Sequence, residues 1–407
     1  MSAHHLKFEQ IRRVYSEAVT KAPGLARWLT AAGVSPAEIS GPEALSRIPV
    51  LKKERFLAMQ AEAPPFGGFL GAEPSQLGHI YVSPGPIFEP SLGDDPTGHG
   101  MKWMFAEAGI GPSDIALNTW SYHLLPAGLL FDQGLRACAA TVIPAGTGNT
   151  ELVADLLITL RPTAFLGSAA FFRTVVDHLR RSGRNLPADW SLRHAFLAGE
   201  FGDWAATRKV IEAEFHLKTW TCYGTGDFGL IGYEVAGEEG YRIHPERYVQ
   251  ICDPDTGLPL PLGEAGEIVV TTLTPGWPLI RFGTGDLGRA TELGSDGGVE
   301  RLAGVEGRVS AARKIREIFV YPDHVRRIAK QVAGVEEARL RFGRCGNRDV
   351  ITIEILPAPN AEVAEEEVGA CFRSLTRLRA DHVVRVADSS AFTFPDLIAE
   401  DRRLSSP

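Results

Sequence analysis

The residues best equipped for chemistry sit in two glycine-rich turns that each contain an aspartate. GTGDFG runs from Gly224 to Gly229, and RFGTGDLG runs from Arg281 to Gly288. The first has the spacing of a dinucleotide-binding turn and follows a strand-like segment. That fingerprint also needs a helix directly after it, so that the helix N-terminus faces a pyrophosphate. The next residues, LIGYEVAGEEGYRI, hold no long helix, which argues against such a site. A third turn, GTGNT at Gly146 to Thr150, reads as a tight turn capping the following helix, with Asn149 or Thr150 as N-cap. It also stands at a strand end, where it could line a pocket. No GxSxG elbow, HExxH pair or GxxxxGK phosphate loop is present. His123, His194, His216, His244, His324 and His382 lack metal-ligand spacing and read as structural or surface residues. The five cysteines, Cys138, Cys222, Cys252, Cys345 and Cys371, are odd in number, far apart and without a CxxC pair. They read as buried free thiols in a reducing compartment.

The elements that must position these turns follow from hydrophobic periodicity. Phe8 to Leu29 reads as one amphipathic helix, with Ile11, Val14, Tyr15 and Ala18 on one face. A short helix starts at Ser35, EAPPFGGFLGAEP is a loop, and HIYVS is a strand ending at SPGP. Beyond residue 100, strands and helices alternate as far as LKTWTCYG. That rhythm implies a mainly parallel sheet covered by helices, with ligands at the C-terminal strand ends. After Gly240 the pattern turns antiparallel, with a hairpin around DPDTG. From Pro322 the order is helix, strand, strand, helix, strand. The expected fold is α/β: a large N-terminal domain, residues 1–306, with mainly parallel sheets under helices plus an antiparallel β region. A small α+β domain follows at residues 307–407.

The chain has 407 residues and a formal net charge of −8, with 44% hydrophobic and 23% charged residues. A globular, acidic protein of this kind lacks the basic face that a nucleic-acid backbone requires, so no nucleic acid is expected as a partner. The longest apolar stretch, Gly128 to Ala145, is broken by Asp132 and Arg136, and no membrane span or secretory signal is read. The expected location is cytoplasmic. The sequence leaves room for a homodimer.

A set of segments in fixed order resembles the acyl-adenylating (AMP-binding) ligases, closest to the phenylacetate–CoA ligase branch. TCYGTGDFG resembles that family's tyrosine–glycine turn ending in an acid. GEAGEIVVTTLTPGWPLIRFGTGDLGR is similar to its hairpin and arginine–aromatic–x–threonine–glycine–aspartate motif, and GRVSAARKIREIFVYPDHV to its hinge. FLAGE with FGDW resembles the adenine loop, ATVIPAGTGNTELV the border of the acyl pocket, and IPVLKKERF the lead into the nucleotide loop. The resemblance implies an ATP- and magnesium-dependent ligase that activates a small carboxylic acid, of aromatic type, as an acyl adenylate and passes it to coenzyme A. Both reactants of the first step are anionic, so such a site must neutralise charge and hold them in line. By the same resemblance Asp286 would bind the ribose hydroxyls of ATP or AMP, and Arg308 the ribose or phosphate. Tyr223, with Gly224 and Thr225 beside it, would stack near the adenine, next to Gly199 and Glu200. Asp227 stands at the magnesium-associated position. Tyr122, His123, Gly146, Gly148 and Ser168 would surround the acyl group.

The chain departs from the family pattern at four places. The segment matching the phosphate loop, Ser83 to Pro90, reads SPGPIFEP, with one hydroxyl, one glycine, three prolines and no lysine. Proline removes backbone donors that could hold phosphate. Gly226 replaces a hydroxyl residue, Ser310 the hinge aspartate, and Glu317 a glycine of the loop beside the pantetheine tunnel. No lysine follows Lys330, where a catalytic lysine is expected, so no catalytic residue is assigned; Arg402 or Arg403 would be the substitutes. These departures motivate the alternative of a catalytically impaired homologue that binds a nucleotide or acyl adenylate, or serves as a partner subunit.

Overall fold

The computed structural model describes residues 3–83, 86–93, 95–198, 204–309, 313–316, 318–320, 322–345 and 348–401. The chain divides into two compact units, residues 1–309 and 310–407.

In the first unit the N-terminal periodicity yields two helices in place of one, Ala3–Ala18 and Pro23–Ala31. Pro23 opens the second helix because its missing N–H is harmless there and disruptive in a helix interior. Ile11, Val14, Tyr15 and Ala18 are buried, as their spacing requires. The Tyr15 hydroxyl donates to the carbonyls of Thr272 and Leu279 at 3.0 and 2.8 Å, tying this helix to the antiparallel sheet. A hairpin follows, β1 (Leu77–Ser83) and β2 (Ile87–Leu92), whose register sets Tyr81 opposite Glu89 and Ser83 opposite Ile87.

The alternating region forms a five-stranded sheet: β3 (Ile115–Asn118), β4 (Thr141–Pro144), β5 (Ala164–Gly167), β6 (His194–Leu197) and β7 (Lys218–Trp220). All its pairings are parallel, in the order β4-β3-β5-β6-β7. Side chains alternate between its faces. Ala164, Leu166 and Phe196 enter one core with Met104, Phe105 and Leu135, whereas Phe165, Ala195 and Leu197 enter another with Val153, Phe172 and Val175. Both faces are thus covered by helices, the usual condition of a parallel sheet.

The stretch LKTWTCYG, read as one strand, breaks at Thr221. Its second half is β8 (Cys222–Thr225), the edge of a seven-stranded antiparallel sheet. The rest of that sheet is β9 (Gly229–Tyr233), β10 (Tyr241–Ile243), β11 (Arg247–Cys252), β12 (Ala265–Thr272), β13 (Phe282–Leu293) and β14 (Val299–Arg308). Arg281, 1% exposed, fixes its border by donating to the carbonyls of Ser46 and Ile48 at 2.8 and 2.6 Å.

The second unit contains the expected helix–strand–strand–helix–strand order, from Pro322–Gln331 to His382–Arg385. A further strand, Ile398–Glu400, pairs in parallel with Leu340–Phe342 and completes a four-stranded sheet. Its three residues lie in a Pro- and Asp-rich stretch, too short for a periodic signal. Among the described residues no helix is long and apolar enough to cross a membrane.

Candidate active site

The aspartate of the RFGTGDLG turn lies on β13 directly opposite Arg308 on β14. The Arg308 Nε is 2.9 Å from Asp286 Oδ1, and the Tyr223 hydroxyl, arriving from β8, donates to Asp286 Oδ2 at 2.9 Å. Asp286 is 4% exposed, so this is a buried pair with a hydrogen-bonded third member, the form in which a buried charge is tolerated. Burial, then the Asp286 charge, pushes the Tyr223 hydroxyl well above its usual range and keeps it a donor. The turn explains its own sequence. The Thr284 hydroxyl donates to the Ile268 carbonyl at 2.9 Å and accepts the Asp286 N–H at 3.1 Å. Gly285 has φ +74°, the left-handed region that glycine enters without penalty. Both Asp286 and Arg308 belong to the first unit, and the Val309 N–H closes the arrangement on the Gly285 carbonyl at 2.9 Å.

A second cluster surrounds the β1–β2 hairpin. Glu89 is 2% exposed, and its Oε2 accepts the Ser83 hydroxyl at 2.8 Å. A Cβ on Gly226 would stand 2.1 Å from that same oxygen, so a hydroxyl residue cannot occupy position 226 while Glu89 points there. The glycine at 226 and the glutamate at 89 are therefore sterically matched. Burial, then the nearby Asp227 charge, pushes the Glu89 carboxyl up to about 8, with Lys53 and the Ser83 bond acting in the opposite sense. Lys53 comes from the first turn of the helix Lys53–Glu62. Its Nζ is 2.9 Å from Asp227 Oδ2 and 6.0 Å from the centre of the Phe282 ring. Neither Glu89 nor Lys53 stands out in the sequence by motif or spacing. The available signal was an acid in a loop expected to hold a lysine, and a pair of lysines just upstream.

Magnesium can be tested against this cluster. Asp227 has a fully buried side chain, and its Oδ1 has no hydrogen-bond partner among the described residues. One such oxygen fits a magnesium ion, which is commonly held by one or two carboxylates together with substrate phosphates. No group of three or more candidate ligands exists among the described residues. Beside Asp227 lies a cavity of about 320 Å³, lined by Tyr81, Ser91, His99, Arg247 and Trp277 among others.

The proposed acyl-pocket residues follow successive parallel strands. Tyr122 and His123 come after β3, Gly146 and Gly148 after β4, and Ser168 after β5, so the fold gathers them along one edge of the sheet. Tyr122 is fixed there, accepting from Asn118 Nδ2 at 2.8 Å and donating to Asp132 Oδ2 at 3.0 Å. His123 is exposed. Gly146 and Gly148 have φ of +68° and +89°, with open space where a Cβ would be. Asn149 is the cap of the next helix, accepting the Leu152 N–H at 3.1 Å. The Ser168 hydroxyl is likewise committed to a helix cap, accepting the Phe171 N–H at 3.1 Å. Beside Tyr223, Gly224 allows the close approach of the Gly229 carbonyl, 2.5 Å from where a Cβ would stand, and the buried Thr225 hydroxyl has no hydrogen-bond partner among the described residues. Gly199 and Glu200, with Ser310, Glu317, Arg402 and Arg403, lie outside the described residues.

No family model matches the chain. Phenylacetate-coenzyme A ligase of Thermus thermophilus is 31% identical over 399 residues, covering 93% of this chain and 86% of that one. The chain belongs to the phenylacetate–CoA ligase family. The enzyme of the same name from Escherichia coli is 26% identical over 365 residues, covering 86% of this chain and 81% of that one. Among solved structures, 2-hydroxyisobutyryl-CoA ligase in complex with 2-HIB-AMP and CoA superposes with a TM-score of 0.88 at 22% identity, covering 97% of this chain and 88% of that one. An amide bond synthetase from Marinactinospora thermotolerans gives a TM-score of 0.59 at 17% identity, covering 78% of this chain and 66% of that one. These two likenesses concern the fold.

Proposed function

We propose that the protein is an AMP-forming acid–thiol ligase, activating a carboxylic acid, of aromatic type, as its acyl adenylate and transferring the acyl group to coenzyme A. The observation that carries this reading is the buried Tyr223–Asp286–Arg308 group. Its members occupy the positions that the family resemblance assigns to the nucleotide. In this reading Asp286 exchanges its tyrosine and arginine partners for the two ribose hydroxyls, a natural task for a carboxylate acceptor. The arginine guanidinium then faces sugar or phosphate. Lys53, drawn to Asp227, is a cation beside the magnesium-associated position and offsets phosphate charge there. Magnesium bound at Asp227 Oδ1 would neutralise further phosphate charge. Tyr122 and the open Gly146–Gly148 turn border the acid, and the first unit serves as the adenylation domain, with the second, residues 310–407, as a mobile small domain.

The test is AMP release with ATP, magnesium, CoA and a broad panel of aryl acids. The expected outcome is acid-dependent AMP formation with a thioester product. Silence across the panel, combined with tight AMP binding by calorimetry, would support the nucleotide-binder alternative and remove the ligase assignment.

A further inference from the structure

We propose that Glu89 is a second carboxylate ligand of the divalent cation, joining Asp227 Oδ1, in a site that this chain builds where its phosphate loop lacks a lysine. The inference rests on the nucleotide reading above and extends it by one residue. Three observations carry it. Glu89 is buried, and the Ser83 hydroxyl orients its carboxyl group at 2.8 Å. It packs against the backbone of Gly226, the residue before Asp227, in space that a side chain at 226 would fill. Asp227 is itself 3% exposed, with Lys53 on Oδ2 and no hydrogen-bond partner on Oδ1 among the described residues.

Two buried carboxyl groups on neighbouring segments repel each other when both are ionised. One lysine offsets one of them. A divalent cation between them offsets the pair and uses the oxygen left without a donor. With two carboxylates and the oxygens of a bound phosphate, the donor set is the all-oxygen one that magnesium selects. A lysine in the loop contributes charge to the phosphate directly; Glu89 would contribute it by holding the metal. On this account Glu89 and Gly226 act as a unit, since the acid needs the space that the glycine leaves.

Manganese binding to the full chain, followed by electron paramagnetic resonance without nucleotide, tests the site apart from turnover. The expected result is one ion per chain, with affinity weakened at least about tenfold in both Glu89→Gln and Asp227→Asn. Glu89→Asp, which keeps the charge on a shorter arm, should fall between wild type and Glu89→Gln and serves if the glutamine variant does not fold. Unchanged manganese affinity in the folded Glu89 variants, or no manganese binding by the wild type at millimolar concentration, would overturn the proposal. Calorimetry with AMP in the absence of metal separates the two readings. AMP binding with Glu89-independent manganese binding sinks the metal assignment alone. Glu89-dependent manganese binding without AMP affinity sinks the nucleotide reading alone.

Discussion

The two ends of the proposed nucleotide site are built on opposite terms. At the ribose end, Tyr223, Asp286 and Arg308 match the family pattern and form a closed group, with Asp286 and Arg308 on the adjoining strands β13 and β14. At the phosphate end, nearly every expected group is replaced. An acid stands in a loop that should carry a lysine, a glycine replaces a hydroxyl, and a lysine enters from a helix some thirty residues earlier in the sequence. The second set is nevertheless coherent, because Gly226 leaves the space that Glu89 uses and Lys53 supplies charge beside Asp227. Departure from a motif is thus weak evidence of decay when the departures fit one another.

The contrast can be broken most forcefully at its ribose end. Asp286→Asn strips the charge from a buried ion pair, a change of about 3–5 kcal/mol in comparable cases. AMP affinity by calorimetry should fall about a hundredfold or more, with a lowered melting temperature; unchanged AMP binding would end the ribose assignment. At the phosphate end, Gly226→Ser should destabilise by about 1–3 kcal/mol through overpacking against Glu89. Adding Glu89→Ala should recover most of that loss in denaturant titrations. If the two changes prove additive, they are independent and the idea of a joint replacement fails. Lys53→Met should weaken ATP binding about tenfold, near the worth of a charge-assisted hydrogen bond, while AMP binding stays within about twofold. An equal loss for both nucleotides would place Lys53 with the ribose end and erase the contrast.

The smallest effect concerns pH. Burial first, then the Arg247 charge, pushes His244 down to about 3. It is neutral in the folded protein, whereas an unfolded histidine takes up a proton below about 6.5. Its contribution to stability is therefore complete above that pH and is lost as pH falls toward 3. Melting temperatures measured between pH 7 and 4 should fall less steeply in His244→Asn than in the wild type.

The sequence made the large pattern readable because strand and helix periods are local properties. The parallel sheet, the later antiparallel region and the small α+β unit all follow from them, although antiparallel pairing begins at Cys222 and not after Gly240. What escaped was decided by single residues or by long-range pairing. Pro23 split the first helix, Thr221 divided one apparent strand between two sheets, and Ile398–Glu400 exists as a strand only because Leu340–Phe342 lies beside it. The site shows the same division. The Asp286 turn was legible since its residues are contiguous and its Thr, Gly and Asp each have a local task. Glu89, Gly226 and Lys53 are separated by up to 173 positions, and no spacing rule connects them. Ser168 and Asn149 were visible as polar residues at strand ends, where helix caps and ligand contacts demand the same residue types.

The Val309 N–H bonds to the Gly285 carbonyl, and Val309 is the last residue of the first unit. The chain thus leaves that unit one peptide beyond Arg308, from an anchor tied to the turn that presents Asp286. A sugar exchanging places with the arginine would disturb the mooring of everything downstream, and tension on that tether would be felt first at the sugar. On the proposed reading, nucleotide occupancy and the exit of the chain from the first unit would share this one knot of backbone.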